Sequence, residues 1–120
     1  MSTHAMIDIE TLGTMPNSVI LSVGAVKFDP FKSDEPHDGR HWKIDVDAQT
    51  SKGRFVDEKT LAWWSKQEKD IQDRAFSDHG RIPVEPFMQE LNAWLTGCEQ
   101  IWCQGPQFDM VILEDFFRAV

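Results

Sequence analysis

Apolar and polar positions alternate at the start of the chain and recur at helical spacing in its second half. In HAMIDIE (4–10), Ile7 and Ile9 interleave with Asp8 and Glu10, a two-residue period that predicts a short strand. SVILSVGAVKFD (18–29) is a longer strand candidate rich in Val and Ile. Gly13 and Pro16 mark the connection between the two. Beyond the polar stretch PFKSDEPHDG, RHWKIDVD alternates Trp42, Ile44 and Val46 with polar partners. Three strands joined by turn-rich links predict an antiparallel meander.

After residue 56 the period changes. DEKTLAWWSKQEKDIQDRAF reads as helix broken in two, with Leu61, Trp64 and Ile71 facing inward. In VEPFMQELNAWL, Pro86 suits a first helical turn, Phe87, Leu91, Trp94 and Leu95 share a face, and Gly97 stops the helix. QIWC is a candidate central strand, and FDMVILEDFFRAV is helical to the end of the chain. The order β-β-β-α-α-β-α predicts one α/β domain over residues 1–120, built on a mixed sheet.

Composition adjusts this picture in two ways. A net charge of -8 on 120 residues argues against a general basic nucleic-acid-binding module. It still suits an enzyme whose bound cations supply local positive charge. Cys98 and Cys103 are too few for a disulfide framework, and neither a signal peptide nor a membrane-spanning run is apparent. The expectation is a soluble cytoplasmic protein with no membrane association.

Candidate chemistry begins with Asp8 and Glu10. Two apart on a strand, they project from one face, the placement that sets hard oxygen ligands beside a divalent cation. Two solvated acids on an exposed sheet surface give the same pattern. Asp109 opens a helix after a predicted central strand, where ligands of α/β sheets gather. The helix dipole also favours an acid there. Glu114 and Asp115 read as an exposed helix face.

MIDIETLG, PNSVILSVGAVKFD, TLAWWSKQ and GPQFDMVILEDFF, in that order, resemble the phage- and bacterial-type 3'-5' exoribonuclease family. This is a branch of the DEDD exonucleases with a ribonuclease H-like fold, often named exodeoxyribonuclease VIII-like in prophages. The resemblance implies a 3'-5' exonuclease acting on the 3' end of single-stranded RNA or DNA by two-metal phosphodiester hydrolysis. It implies Asp8, Glu10 and Asp109 as catalytic ligands of two Mg2+ or Mn2+ ions. It places Thr11 near the terminal nucleotide, Ser22 and Gly24 beside the site, and Trp63, Trp64 and Gln67 along the substrate groove. Of the two tryptophans, Trp63 is the candidate for base stacking and Trp64 equally suits plain core packing.

The family pattern continues through another strand and a last helix carrying a histidine base and a fourth aspartate. This chain stops at Val120, so it reads as C-terminally truncated relative to the family. His4, His37, His41 and His79 all precede Asp109, and none matches the missing base. Loss of a general base lowers rates by a factor of about 10²–10⁴. Two readings follow: an exonuclease, or a catalytically inactive nucleic-acid- or protein-binding module on the same fold. A sheet face left uncovered also predicts a homodimer or other self-association.

Overall fold

The three-strand meander forms as its alternation predicts in a computed structural model that describes residues 3–32, 35–103 and 106–119. Ser33 and Asp34 of the polar link, and Gly105 and Val120 of the last motif, lie outside the described residues. β1 (His4–Thr11), β2 (Ile20–Phe28) and β3 (His37–Ile44) pair antiparallel in succession. β4 (Arg81–Ile82) runs parallel to β3 and β5 (Gln100–Trp102) parallel to β1, giving the sheet order β4-β3-β2-β1-β5. The connections carry helices α1 (Val46–Ser51), α2 (Glu58–Ser65), α3 (Lys69–Phe76), α4 (Val84–Leu95) and α5 (Pro106–Ala119).

Four features depart from the sequence reading. The strand at Trp42 begins at His37, inside the stretch read as a polar link, where ladder pairing to Lys27 extends it. It stops at Ile44 because the Asp45 carboxylate accepts the Ala48 N–H and turns the chain into α1. β4 has two residues, too few to show a period. β5 is an edge strand among the described residues rather than a central one, and its three residues are exposed. Leu61 is 40% exposed, because α2 meets the core through Trp64 and leaves Leu61 on its solvent flank.

One face of the sheet carries the larger core. There Ile7, Ile9, Val23, Trp42 and Ile44 pack against Phe87, Leu91 and Trp94 of α4 and Ile112, Leu113 and Phe116 of α5. A smaller cluster on the opposite side joins Leu12, Val19 and Leu21 to Trp64 and Ala75 of α2 and α3. The switch between the two comes from a bulge. Glu10 pairs with Ser22 but Thr11 pairs with Ile20, so Leu21 is the extra residue and turns into the second cluster.

A bulge strands backbone groups that a regular ladder would pair. Here two buried side chains take them up. Gln49 accepts the Ile20 N–H through Oε1 and donates to the Ile20 carbonyl through Nε2, both at 2.8 Å. Arg81 donates to the Leu21 carbonyl at 3.0 Å, and also to those of Ile44 and Ala75. Gly13 closes the neighbouring loop, where a Cβ would fall 2.5 Å from the Ser18 Oγ.

Gln49→Leu keeps the volume but leaves both Ile20 groups buried without partners. Urea denaturation is expected to show a loss of about 2–4 kcal/mol; an unchanged midpoint would mean that the bulge does not need this side chain.

Candidate active site

Because Ile7 and Ile9 are claimed by the core, Asp8 and Glu10 must emerge on the opposite, open face of β1. Asp8 is exposed and Glu10 half-buried. The buried Ser22 hydroxyl, directly across the ladder, donates to Glu10 Oε1 at 2.6 Å. Gly24 faces Asp8, so no side chain screens that carboxylate on the β2 side.

Asp109 reaches the same region from the first turn of α5 and is 5% exposed. Burial pushes its pKa up, the charge of Asp8 adds to that, and a hydrogen bond from the Ile9 backbone pulls the other way. The thiol of Cys103, just beyond β5, is pushed up to about 11 by burial first and then by Asp109 and Asp8. Two carboxylates from separate elements and one thiol therefore share one electrostatic neighbourhood. Cys103 carries no sequence pattern that would have singled it out.

The second half of the site is a pocket of about 560 Å³ whose lining includes Glu10, Thr11, Thr14, Asp57, Trp63 and Trp64. Thr11 is buried and donates its hydroxyl to the Gly13 carbonyl at 2.7 Å. Trp64 is a core residue whose Nε1 donates to the Thr11 carbonyl at 3.0 Å, fixing the end of β1. Trp63 is 54% exposed and stands edge-on to Trp64, with ring centroids 4.9 Å apart. Gln67 is not among the lining residues; its amide donates to the Trp63 carbonyl at 3.1 Å. The structure thus brings Glu10, Thr11 and Trp63 to one pocket, joins Ser22 to it through Glu10, and leaves Gln67 closing the end of α2.

Among the described residues no three His, Cys, Asp or Glu side chains are grouped closely enough to hold a metal ion. The donor set nevertheless suits a hard divalent cation. Its groups are carboxylate oxygens, and Asp8 and Asp109 repel each other in a way that a cation would relieve. Glu10 is the neighbouring donor, turned here toward Ser22.

Arg54 escaped the sequence reading, as a lone cation in a polar stretch. It is buried, donates to the Ser18 carbonyl at 3.1 and 2.9 Å, and binds the Asp115 carboxylate at 2.9 Å. Asp115 is therefore not part of a free helix face; it ties α5, which carries Asp109, to the loop after β1. Glu114 is exposed and pairs with Arg118 at 3.5 Å. Of the histidines, His4 is buried and accepts from Trp102 Nε1 at 2.8 Å, whereas His41 is exposed on the Asp8 face.

A three-strand meander followed by helices and a strand parallel to β1, with acids on the first strand and the last helix, defines an α/β protein built on a mixed five-stranded sheet. The chain belongs to the 3'-5' exoribonuclease Rv2179c-like domain family, whose profile matches residues 3–120. It is similar to the exodeoxyribonuclease of Enterobacteria phage T4, at 28% identity over 96% of this chain and 56% of the phage protein. It thus spans little more than half the length of that relative. Among solved structures, a zinc-bound complex of E. coli exonuclease I with ssDNA superposes with a TM-score of 0.70. That pair shares 13% identity over 98% of this chain and 24% of the other. The same enzyme with a dA16 oligonucleotide gives a TM-score of 0.63 at 16% identity, again over 98% and 24%. These two matches show the fold. The family is one of exonucleases, a class of hydrolases.

The raised pKa of Asp109 fixes the sign of a pH effect. A carboxylate whose folded pKa lies above its unfolded one stabilises the fold only while protonated. That stability is present below the ordinary carboxylate range and is lost as pH rises through the raised value. In EDTA, Asp109→Asn is expected to melt higher than the native chain at neutral pH, with the gap closing in acid. A native chain that melts higher at pH 7 would contradict this reading of the site.

Proposed function

We propose that this chain is a metal-dependent 3'-5' exonuclease of single-stranded RNA or DNA. The observation that carries the reading is that Asp8, on the open face of β1, and Asp109, buried at the start of α5 against the Ile9 backbone, lie close enough for the charge of one to act on the other. Both would hold the cation, with Glu10 as the adjacent donor. Mg2+ or Mn2+, two ions in the complete family site, supplies an activated water and offsets charge on the phosphate under attack.

The residues of this chain do the rest. Arg54 holds the α5 segment that presents Asp109 against the loop at Ser18. Trp64 holds the Thr11 carbonyl and so fixes the floor on which the terminal nucleotide rests. Trp63 offers its exposed ring to the last base, a contact indifferent to sequence. Ser22 keeps Glu10 in place through its hydroxyl and orients one carboxylate oxygen. Gln67 acts on the substrate through Trp63, whose backbone it holds.

The reading extends to the cytoplasm as the site of action and to self-association. Exposed Met6, Phe31, Ile101 and Trp102 support the latter, since apolar side chains left bare favour a covering surface. A second reading, a catalytically silent binding module, draws on the engagement of Glu10 by Ser22 and the absence of a three-donor group among the described residues.

Incubation with 5'-labelled single-stranded RNA and DNA in Mn2+ separates the two readings. An exonuclease of this polarity gives a ladder shortened from the 3' end, and Asp8→Ala abolishes it. Trp63→Ala is expected to raise KM roughly ten-fold, as loss of one stacked base predicts. Binding of the oligonucleotide with no shortening, equal in native and Asp8→Ala chains, would establish the silent module instead.

A further inference from the structure

A second groove lies beside the acid face and carries the opposite charge. It is open, about 470 Å³, and lined by His41, Lys43, Asp73, Arg74, Ser77 and His79. The ladder fixes its position. Lys43 pairs with Ser22, which pairs with Glu10; His41 pairs with Gly24, which pairs with Asp8. Residues in register across a sheet share a face, so Lys43 and His41 stand on the same side as the two acids. With strands about 4.8 Å apart, the rows from acid to cation span about 10 Å at the backbone.

The groove adjoins a second hollow at His41. His41 also lines a shallow trough of about 490 Å³ that runs from Asp8 over Gly24 and Gly39. Glycines at those two positions add no side chain to its floor. A strand leaving the acids toward β3 passes over this floor and arrives at Lys43 and Arg74.

The cations there lack the partners that a structural role would supply. Arg74 and Lys43 take part in no ion pair among the described residues, and Lys43 donates only to the Ser77 carbonyl, at 2.7 Å. Arg81, next to Lys43 in register, has the structural role they lack: it donates to the Leu21, Ile44 and Ala75 carbonyls and its Nε lies 3.8 Å from the Asp78 carboxylate. Burial, then repulsion from Arg81, lowers the pKa of Lys43, while Asp78 and Glu10 oppose the shift. Asp73 is the one acid in the lining. In a chain of net charge -8, Lys43 and Arg74, side by side without ion pairs among the described residues, call for an anionic visitor.

We infer that the Lys43–Arg74 groove binds the phosphodiester backbone of the single strand on the 5' side of the bond being cut, with the Gly24–Gly39 trough as the path between. The inference rests on the exonuclease reading, and the groove makes it a track that holds a polymer rather than a pocket for one nucleotide. Phosphate contacts of this kind are indifferent to sequence and sensitive to salt.

Fluorescence anisotropy with a 20-nucleotide oligo(dT), in EDTA so that nothing is cut, tests it. Arg74→Glu lies on the exposed side of α3, in its last turn, and is expected to lower the melting temperature by about 5 °C or less, leaving the chain folded at the assay temperature. It is expected to weaken binding ten-fold or more at low salt. Arg74→Gln, which removes one contact, is expected to reduce the slope of log Kd against log salt by about 0.7. With Mn2+, Arg74→Glu should lower kcat/KM on the 20-mer and leave it unchanged on a dinucleotide, whose single phosphate cannot reach the groove. Asp8→Ala, in contrast, should abolish cutting of both yet still bind the 20-mer in EDTA. A chain that cuts nothing refutes the exonuclease reading, whereas the anisotropy still decides the groove. Equal affinity and equal salt slope for the native and Arg74 variant chains would overturn the inference. So would poly-glutamate competing as well as oligo(dT), which would assign the groove to an acidic protein segment.

Discussion

The organisation of this molecule depends on the two-residue period of β1. Ile7 and Ile9 enter the core formed with α4 and α5, and their burial leaves Asp8 and Glu10 no choice but the open face. A slip of one residue would bury both acids and expose both isoleucines, an exchange the core cannot accept. The pairing with β2 therefore stays locked up to Glu10, where the Leu21 bulge releases it. Gln49 and Arg81 make that release tolerable by bonding the freed backbone groups, and Leu21 then seeds the small cluster that docks α2 and Trp63 beside Glu10. Core, bulge and pocket are consequences of one register.

Electrostatics follows from the same geometry. Asp109 is brought in by α5 and desolvated there, so its charge and that of Asp8 oppose each other in the metal-free fold. Burying an acid beside another acid destabilises a protein unless something positive arrives. Arg54 does not relieve it; its guanidinium is spent on Ser18 and Asp115, holding α5 in position. The proposed cation would supply the relief. The Lys43–Arg74 groove is the complementary half, with Lys43 held apart from the acids by the intervening strand β2.

Much of this was legible in the sequence. Period-two alternation located β1, the Arg40–Ile44 part of β3 and the shared face of Asp8 and Glu10, while helical spacing located α4 and the inward Trp64. Asp109 was placed by its motif and by its position at a helix start, and neither measures how deeply it is buried. What stayed hidden has a common cause. Gln49, Arg54 and Arg81 act on backbone carbonyls 29 to 60 residues away, and no local pattern encodes such a bond. α1 and β4 are too short for a period to appear, and Leu61 obeys the helical pattern yet lies on a flank that nothing covers. The basic groove is assembled from β3, α3 and the loop after it, a juxtaposition set by topology alone.

The claim on which the rest stands is that the carboxylates of β1 and α5 form a cation site. Electron paramagnetic resonance of Mn2+ titrated into the chain measures it without any substrate. The account predicts saturable binding by the native chain that is weakened in Asp8→Asn and lost in the Asp8→Asn, Asp109→Asn double variant. Binding that is identical in all three, or absent from the native chain at millimolar Mn2+, would contradict it.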